Sequence, residues 1–565
     1  MRSNLRISLI LAVTILVTAF SAFAQTKRPD FNRPQTFDVQ NYTVRVSFDR
    51  DKKKVFGDTT VSIKPLKANF NTVELDAVDL SFVSVKLDPT AVDLKYRSVA
   101  DKVVVTLDRT YGVDESISIR FVYSATPKKG VYFRDASTTE GRVHSSQIWS
   151  QGEADEARNW IPSFDFPSDK ATSEEFITAE RDETVIGNGE LLGKSDEANG
   201  KVTWHYKMSI PHSTYLISFV IGKYVRVEDQ YKDTPLGFYV YPGKEKTAKN
   251  AFGDTKKMIA VYEELTGVPF PYNKYDQTIV SQFQFGGMEN ITATTMNDDE
   301  IFFADFDFGK GIVVDLVSHE LAHSWFGDLV TCRNWAELWL NEGFATYMEA
   351  AYREKAYGRE DYIRKLRIDR DQFLADDSIT RKRYGLFNLR AGDVGALFDN
   401  SAVTYNKGGV VVHMLREQVG TEAFWKAINL YLNRHKFANA ESSDLKKAME
   451  EVSGQDLGWF FDQWVYSSGV PKLDVKQTYN PVAKTLTLTV TQTQIPDAIV
   501  PAVFRLPLDV VIKSASGNVV QKLDITKRLQ SFSIKMPSKP THMDVDPEEK
   551  VMLKKVKLRS LVSLK

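Results

Sequence analysis

One cysteine, Cys332, is all that 565 residues contain. No disulfide can form within the chain, so its stability has to come from hydrophobic cores. A charge bias is missing too, since 73 Lys and Arg stand against 74 Asp and Glu for a formal net charge of −1. That balance gives no basic excess to neutralise phosphates and argues against a nucleic-acid partner. No repeat of 20–50 residues and no low-complexity segment is evident, which excludes solenoid and propeller architectures. With 42% hydrophobic and 26% charged residues, the chain has the composition of an ordinary folded protein. Its length calls for about three domains.

The longest apolar run, Ile7 to Phe20, follows Arg2 and Arg6 and precedes Ala22-Phe23-Ala24. A basic start, an apolar centre and a small-x-small end are the parts of a cleavable signal peptide. The run is shorter than the roughly 20 residues a spanning helix needs. Residues 1–24 are therefore expected to be removed on export, leaving a periplasmic or secreted protein with no stable membrane insertion. In an exported chain Cys332 is expected to be a buried, inert thiol.

Hydropathy patterning divides the remainder. Residues 25–38 are polar and carry Pro29 and Pro34, as a leader would. Alternation of period two then sets in, with Tyr42, Val44, Val46 and Phe48, and again Ile117, Ile119, Phe121 and Tyr123. Half-buried strands of this kind, separated by short turns, predict an N-terminal β-rich domain over 25–225. Residues 247–266 change to helical spacing and end at Gly267, and a strand-like run covers Gln277 to Phe285. A mainly helical domain is predicted for 226–470. Alternation returns at Leu486, Leu488 and Val490 and from Phe504 to Ile512, predicting a small β-sandwich over 471–565 that ends in a frayed, lysine-rich tail. The fold class is multidomain α+β.

Chemistry concentrates in 312–347, where His319-Glu320-Leu321-Ala322-His323 lies in an apolar, helix-forming run. Histidines at i and i+4 share one helix face and can hold one metal ion at about 2.0–2.1 Å each. Eighteen residues lie between His323 and Glu342, which sits in the WLNEGFA cluster. Its carboxylate would complete a three-ligand set and leave one position open, the mark of a catalytic rather than a structural zinc site. Zinc in such a set brings the pKa of a water in that position down towards about 7. Glu320, one residue on and roughly 100° round the helix, faces that water as a general base. The chemistry indicated is metal-assisted hydrolysis of an acyl bond, with an amide the obvious candidate.

HELAHSWFGDLVT, followed by WLNEGFATY and preceded by GGMEN, resembles the M1 family of zinc aminopeptidases. QGEADEARNWIPSFDFPSDKAT (151–172), YNKGGVVVHML (405–415) and FFDQWVYSSGVPKLDV (460–475) extend the resemblance to about residues 38–555. It implies a β-sheet saddle, a thermolysin-like catalytic domain and a β-sandwich, with one Zn2+ per chain on His319, His323 and Glu342. It implies that Glu289 and Glu153 bind the free α-amine of a peptide, and that Tyr405 donates a hydrogen bond to the oxyanion. Gly286, Gly287 and Met288 would run alongside the substrate backbone, and Gln151, Phe283 and Phe285 would wall its first side-chain pocket. The chain departs from the family pattern at Ser163 and Phe166, away from this chemistry. It also ends after the sandwich, where many members carry a helical fourth domain, so a more open cleft is expected. Two other enzymes share parts of the pattern, a thermolysin-like endopeptidase and a bifunctional epoxide hydrolase/aminopeptidase. A catalytically dead binding module is a further alternative from a different class. The partners implied are peptides with a free N-terminus; no oligomeric state is indicated.

Overall fold

The two alternating rows become the strands Phe37–Asp49 and Ile117–Ala125, and all eight of the named side chains are buried. Burying each is worth about 1.5–3 kcal/mol, so a one-residue slip that turned a row outward would cost far more than any ladder could recover. The first strand carries a register shift between Val39 and Asn41. This irregularity lets Val39 and Tyr42, three residues apart, both point into the core.

The computed structural model describes residues 28–139, 142–380, 384–399 and 401–564; the expected signal peptide lies outside them. Residues 28–31 are irregular and end a short first unit, and Asn32–Lys565 form the second. Three sheets share the N-terminal apolar core. The largest has eight strands, in spatial order Glu190–Asp196, Val202–His212, Ala171–Ala179, Phe37–Asp49, Lys54–Pro65, Ile117–Ala125, Ser81–Asp88 and Val92–Asp93. A three-stranded sheet (Phe70–Asp76, Lys102–Tyr111, Lys95–Val99) and a four-stranded one (Thr184–Gly187, Phe219–Gly222, Gln147–Ser150, Val131–Arg134) complete it. Ser163 is buried and its backbone exchanges two hydrogen bonds with Asp76, so this departure from the family pattern is absorbed locally.

A five-stranded sheet follows, in the order Val225–Tyr231, Thr234–Val240, Tyr275–Val280, Ala293–Asn297 and Gly287–Met288, which puts Gly287–Met288 at an edge. The strand-like run expected to reach Phe285 stops at Val280, and residues 281–286 form turns. The single helix expected over 247–266 is two, α1 (Glu245–Phe252) and α2 (Thr255–Thr266). Gly253-Asp254 breaks the ladder between them, and Gly267 ends α2 in the left-handed conformation that favours glycine. After a single turn at Asp298–Ile301 come α3 (Lys310–Ala322), α4 (Trp339–Tyr357), α5 (Arg359–Thr380) and α6 (Gly408–Val419), then helices Thr421–His435, Ser442–Ser453 and Gly458–Trp464. Among the described residues no helix is long and apolar enough to cross a membrane.

The C-terminal strands make two sheets. One holds Leu529–Lys535, Thr485–Gln492, Lys472–Asn480 and Lys555–Leu558, with Val562–Ser563 also on Lys472–Asn480; the other holds Val519–Ile525, Leu506–Ser514 and Pro540–Val545. The tail expected to fray instead supplies two short strands that pair in parallel with Lys472–Asn480. Its lysines kept the pattern polar and hid backbone pairing that needs no apolar side chain.

One buried acid makes the N-terminal core sensitive to pH. Burial pushes the Glu175 carboxyl up to about 8, opposed by the Asn188 N–H and by Lys274. The folded state then holds this proton more tightly than the unfolded chain. Its contribution to stability is complete below the ordinary carboxyl pKa of about 4.3 and is lost as pH rises towards 8. Denaturant titrations of Glu175→Gln should show less loss of stability than the parent from about pH 5 to about pH 8, the difference being a few kcal/mol at most. Parallel profiles would contradict this.

Candidate active site

Helix α3 stacks His319 and His323 one turn apart on one face, with ring centroids 4.8 Å apart. Helix α4 crosses it and carries Glu342, whose Oε2 lies 3.2 Å from His319 Nε2 and 3.4 Å from His323 Nε2. Tetrahedral bonds of about 2.0–2.1 Å put neighbouring zinc ligands roughly 3.3–3.4 Å apart. The three donors therefore converge at the separations a zinc ion requires, and the set can hold a metal.

The outer faces of both rings are committed. His319 Nδ1–H donates to Glu349 Oε1 at 2.8 Å, and His323 Nδ1–H donates to the Phe326 carbonyl at 2.9 Å. Each bond fixes the ring and leaves Nε2 turned towards Glu342. Burial opposes charge on His319, but the carboxylates of Glu342 and Glu349 prevail and push it up to about 9. Burial likewise works against ionised Glu342, but His323 and His319 hold it down to about 2. The cluster thus draws positive charge to the point where the three donors meet.

Two glycines explain a third part of the motif. A Cβ on Gly343 would lie 2.9 Å from the Gly408 Cα, and one on Gly408 would lie 2.7 Å from the Gly343 Cα. Only this pair lets α4 touch the start of α6 so closely. The contact brings the π-helical turn Val403–Lys407 against Glu342's helix, and π-turns of this kind recur at functional sites. Tyr405 projects from that turn with its ring stacked on His319, centroids 5.8 Å apart at 17°.

Glu320 is buried beside the edge strand. A Cβ on Gly287 would come within 2.3 Å of its carboxyl carbon, so glycine there makes room for the acid. Burial pushes Glu320 up to about 8, with His319 and His323 acting the other way. Glu153 arrives from the N-terminal region and lies with Glu289 and Glu342 in one group of carboxylates whose oxygens fall within 4.8 Å of one another. Burial first, and then Glu289 and Glu342, raise the Glu153 pKa. Glu153 Oε1 has no hydrogen-bond partner among the described residues. Glu289 Oε1 is 3.4 Å from the Tyr215 hydroxyl and 3.9 Å from His323 Nδ1.

These residues line one cavity of about 570 Å3. It includes Gly286, Gly287, Phe285, Leu316 and Phe398, and opens to solvent past the exposed Gln372 and Ser401. Gln151 and Phe283, expected on its wall, and Met288, expected beside the substrate backbone, are not among its lining residues. Gln151 Nε2 donates to Met288 Sδ at 3.1 Å, both buried, and Phe283 packs edge-on against Trp149. Cys332 is buried, and burial pushes its thiol well up, as an inert thiol requires. Glu349, Lys365 and Asp369 were not singled out in the sequence, yet they line the polar end. Glu349 stands seven residues after Glu342, two turns along the same helix face, which is the one signal that could have found it.

A His-Glu-x-x-His helix completed by a carboxylate from a second helix defines the class of metal centre with three protein ligands. The comparisons with known proteins bear on the family. Residues 38–216 match the model of the Peptidase M1 N-terminal domain, and residues 250–464 match that of the Peptidase family M1 domain. The chain belongs to peptidase family M1. It is 30% identical over 424 residues to "Probable aminopeptidase 1" of Saccharolobus solfataricus, covering 74% of this chain and 52% of that protein. It is 33% identical over 339 residues to "Aminopeptidase N" of Streptomyces lividans, covering 57% and 38%. In fold it is similar to Legionella pneumophila aminopeptidase A, solved in complex with aspartic acid, with a TM-score of 0.78, 19% identity and coverage of 94% and 60%. The chain spans about half the length of the curated relatives it matches.

Because Glu349 orients His319, Glu349→Gln should weaken retention of a bound Zn2+ by about 10- to 100-fold in chelator competition. Unchanged retention would remove Glu349 from the site's support.

Proposed function

We propose that the protein is an exported, zinc-dependent aminopeptidase that removes the N-terminal residue from peptides. The observation that carries this reading is the position of Glu153 and Glu289. Two buried carboxylates flank the metal-ligand cluster within one cavity, and one has an oxygen with no partner among the described residues. Buried carboxylates without matching cations are costly, and a substrate ammonium satisfies both at once. An acylated amine, or more chain in its place, leaves them uncompensated. An endopeptidase has no use for such a pair.

His319, His323 and Glu342 would hold the zinc, which when bound supplies Lewis acidity to polarise the scissile carbonyl and acidify a water. The chain's own residues do the rest. Glu153 and Glu289 hold the ammonium, fixing which amide reaches the ligand cluster. The edge strand Gly287–Met288 offers its free side to the substrate backbone. Glu320 takes a proton from the attacking water and returns it to the leaving amine, so the base is regenerated. Burial raises its carboxyl above the ordinary carboxylate range, and His319 and His323 act the other way. Tyr405 stays protonated, because burial and then Glu342 push its hydroxyl far up, and it donates to the oxyanion.

We also propose domain limits near residues 225 and 470. Phe219–Gly222 pairs in an N-terminal sheet while Val225–Tyr231 opens the next one, and the two family matches fall on either side of 225. The two C-terminal sheets bury Leu486, Leu488, Val490, Leu506, Leu508, Val510 and Ile512, which supports a sandwich. Export rests on the composition of residues 1–24.

Aminoacyl-anilides are the test. The parent should hydrolyse them in a chelator-sensitive way, and Tyr405→Phe should lower kcat by about 10²–10³-fold with little change in KM. Glu289→Ala should lose at least about 100-fold in kcat/KM. Full activity in Glu289→Ala would refute the amine anchor.

A further inference from the structure

Helix α5 is gripped from two sides, and the two grips belong to one chain of contacts. On its inner side Lys365 Nζ, almost fully buried, donates to Glu349 Oε2 at 2.8 Å and to both Asp369 oxygens at 2.7 and 2.9 Å. Glu349 spends its other oxygen on His319 Nδ1. Lys365, Asp369 and Gln372, at i, i+4 and i+7, form the stripe of α5 that lines the cavity. Arg367 and Arg370 lie on other faces of α5. Arg367 Nε bonds Glu549 Oε1 at 3.1 Å, and Arg370 Nη1 bonds Glu549 Oε2.

Glu549 belongs to the C-terminal sheets, in the loop between Pro540–Val545 and Lys555–Leu558. That loop is cinched by Asp546, whose carboxylate accepts the N–H groups of Lys550 at 3.0 Å and Val551 at 2.8 Å. The Glu549 backbone is used as well. Its carbonyl accepts His413 Nε2–H at 3.1 Å, while His413 Nδ1 accepts the hydroxyl of Tyr362, a residue of α5, at 2.7 Å. Burial keeps this imidazole neutral, as one donor and one acceptor require. Glu549 therefore reaches α5 through two arginines and, by way of α6, through Tyr362, beside the Arg353–Asp361 pair and Asn406, which bonds Asp369 and Gln372.

We propose that Glu549 is a positioning residue for the metal centre, acting through α5, Lys365 and Glu349 on the ring of His319. The C-terminal sheets then contribute to the site without touching it. Lys365 alone cannot hold Glu349 in place, because a helix bearing a long, flexible side chain must itself be fixed for the Nζ to be fixed. Glu549 contributes to that fixation from a loop of the C-terminal sheets whose backbone and side chain both bond the helical domain. The inference rests on the reading of His319 as a zinc ligand.

The test is a double-mutant cycle on the full chain with Glu549→Ala and Lys365→Met, read by the Zn2+ dissociation constant in chelator competition and by kcat and KM. Thermal unfolding and far-UV circular dichroism confirm that each variant folds. Lys365→Met should weaken Zn2+ binding about 10-fold or more, Glu549→Ala by a smaller factor of about 3–10, and the double variant no more than Lys365→Met alone. Any loss of activity should fall on kcat rather than KM, since neither residue is an amine anchor. Charge reversal offers a second route: Glu549→Arg with Arg370→Glu should recover Zn2+ affinity relative to Glu549→Arg alone. A parent that binds Zn2+ with Glu549→Ala equal to it, or with fully additive losses, overturns this inference and leaves the zinc reading standing. A parent that binds no Zn2+ overturns both.

Discussion

The structure depends on a cluster of buried carboxylates whose ionisation burial opposes. Glu153, Glu289, Glu320, Glu342 and Glu349 are all buried around His319 and His323. Lys365, which lines the same cavity, is shared between Glu349 and Asp369. Burying a carboxylate costs several kcal/mol unless a cation or hydrogen-bond donors compensate. Two places in this cluster call for positive charge from outside. One is the meeting point of His319, His323 and Glu342. The other lies between Glu153 and Glu289.

Everything around those points serves to hold them apart and in register. Each imidazole is tied on its outer side, so its free nitrogen faces inward. The Gly343–Gly408 contact sets the distance between the helix of Glu342 and the turn of Tyr405. Gly287 keeps the sheet edge thin enough for Glu320 to stand beside it. The N-terminal sheets contribute Glu153, so the cavity is complete only when that β-rich core is folded against the helices. The C-terminal sheets reach α5 through Glu549. The N-terminal sheets and the helices thus line one cavity, and the C-terminal sheets reach its far side only through α5.

Much of this was legible in the chain. Period-two alternation located the strands because each has one buried face, and the i, i+4 histidines located the centre because helix geometry leaves them no other arrangement. The breaks were harder. Gly253-Asp254 splits a helix whose apolar spacing runs through the break, since α1 and α2 pack on the same surface. The last two strands, Lys555–Leu558 and Val562–Ser563, pair through their backbones and show no apolar signature. Gln151, Met288 and Phe283 carry side chains suited to a pocket wall but pack on their neighbours instead, and sequence spacing does not tell a lining residue from one just behind it. Lys365 and Glu549 were beyond reach for a simpler reason: their significance lies in contacts across 16 and more than 170 positions, which no local pattern records.

The central claim is that a free amine, held by Glu153 and Glu289, selects the substrate. It is tested most directly by the ratio of kcat/KM for a short peptide to that for its N-acetylated form. Removal of the ammonium leaves two buried carboxylates unpaired, so the free peptide should be favoured by about 100-fold or more. Equal rates for the two forms would contradict the account.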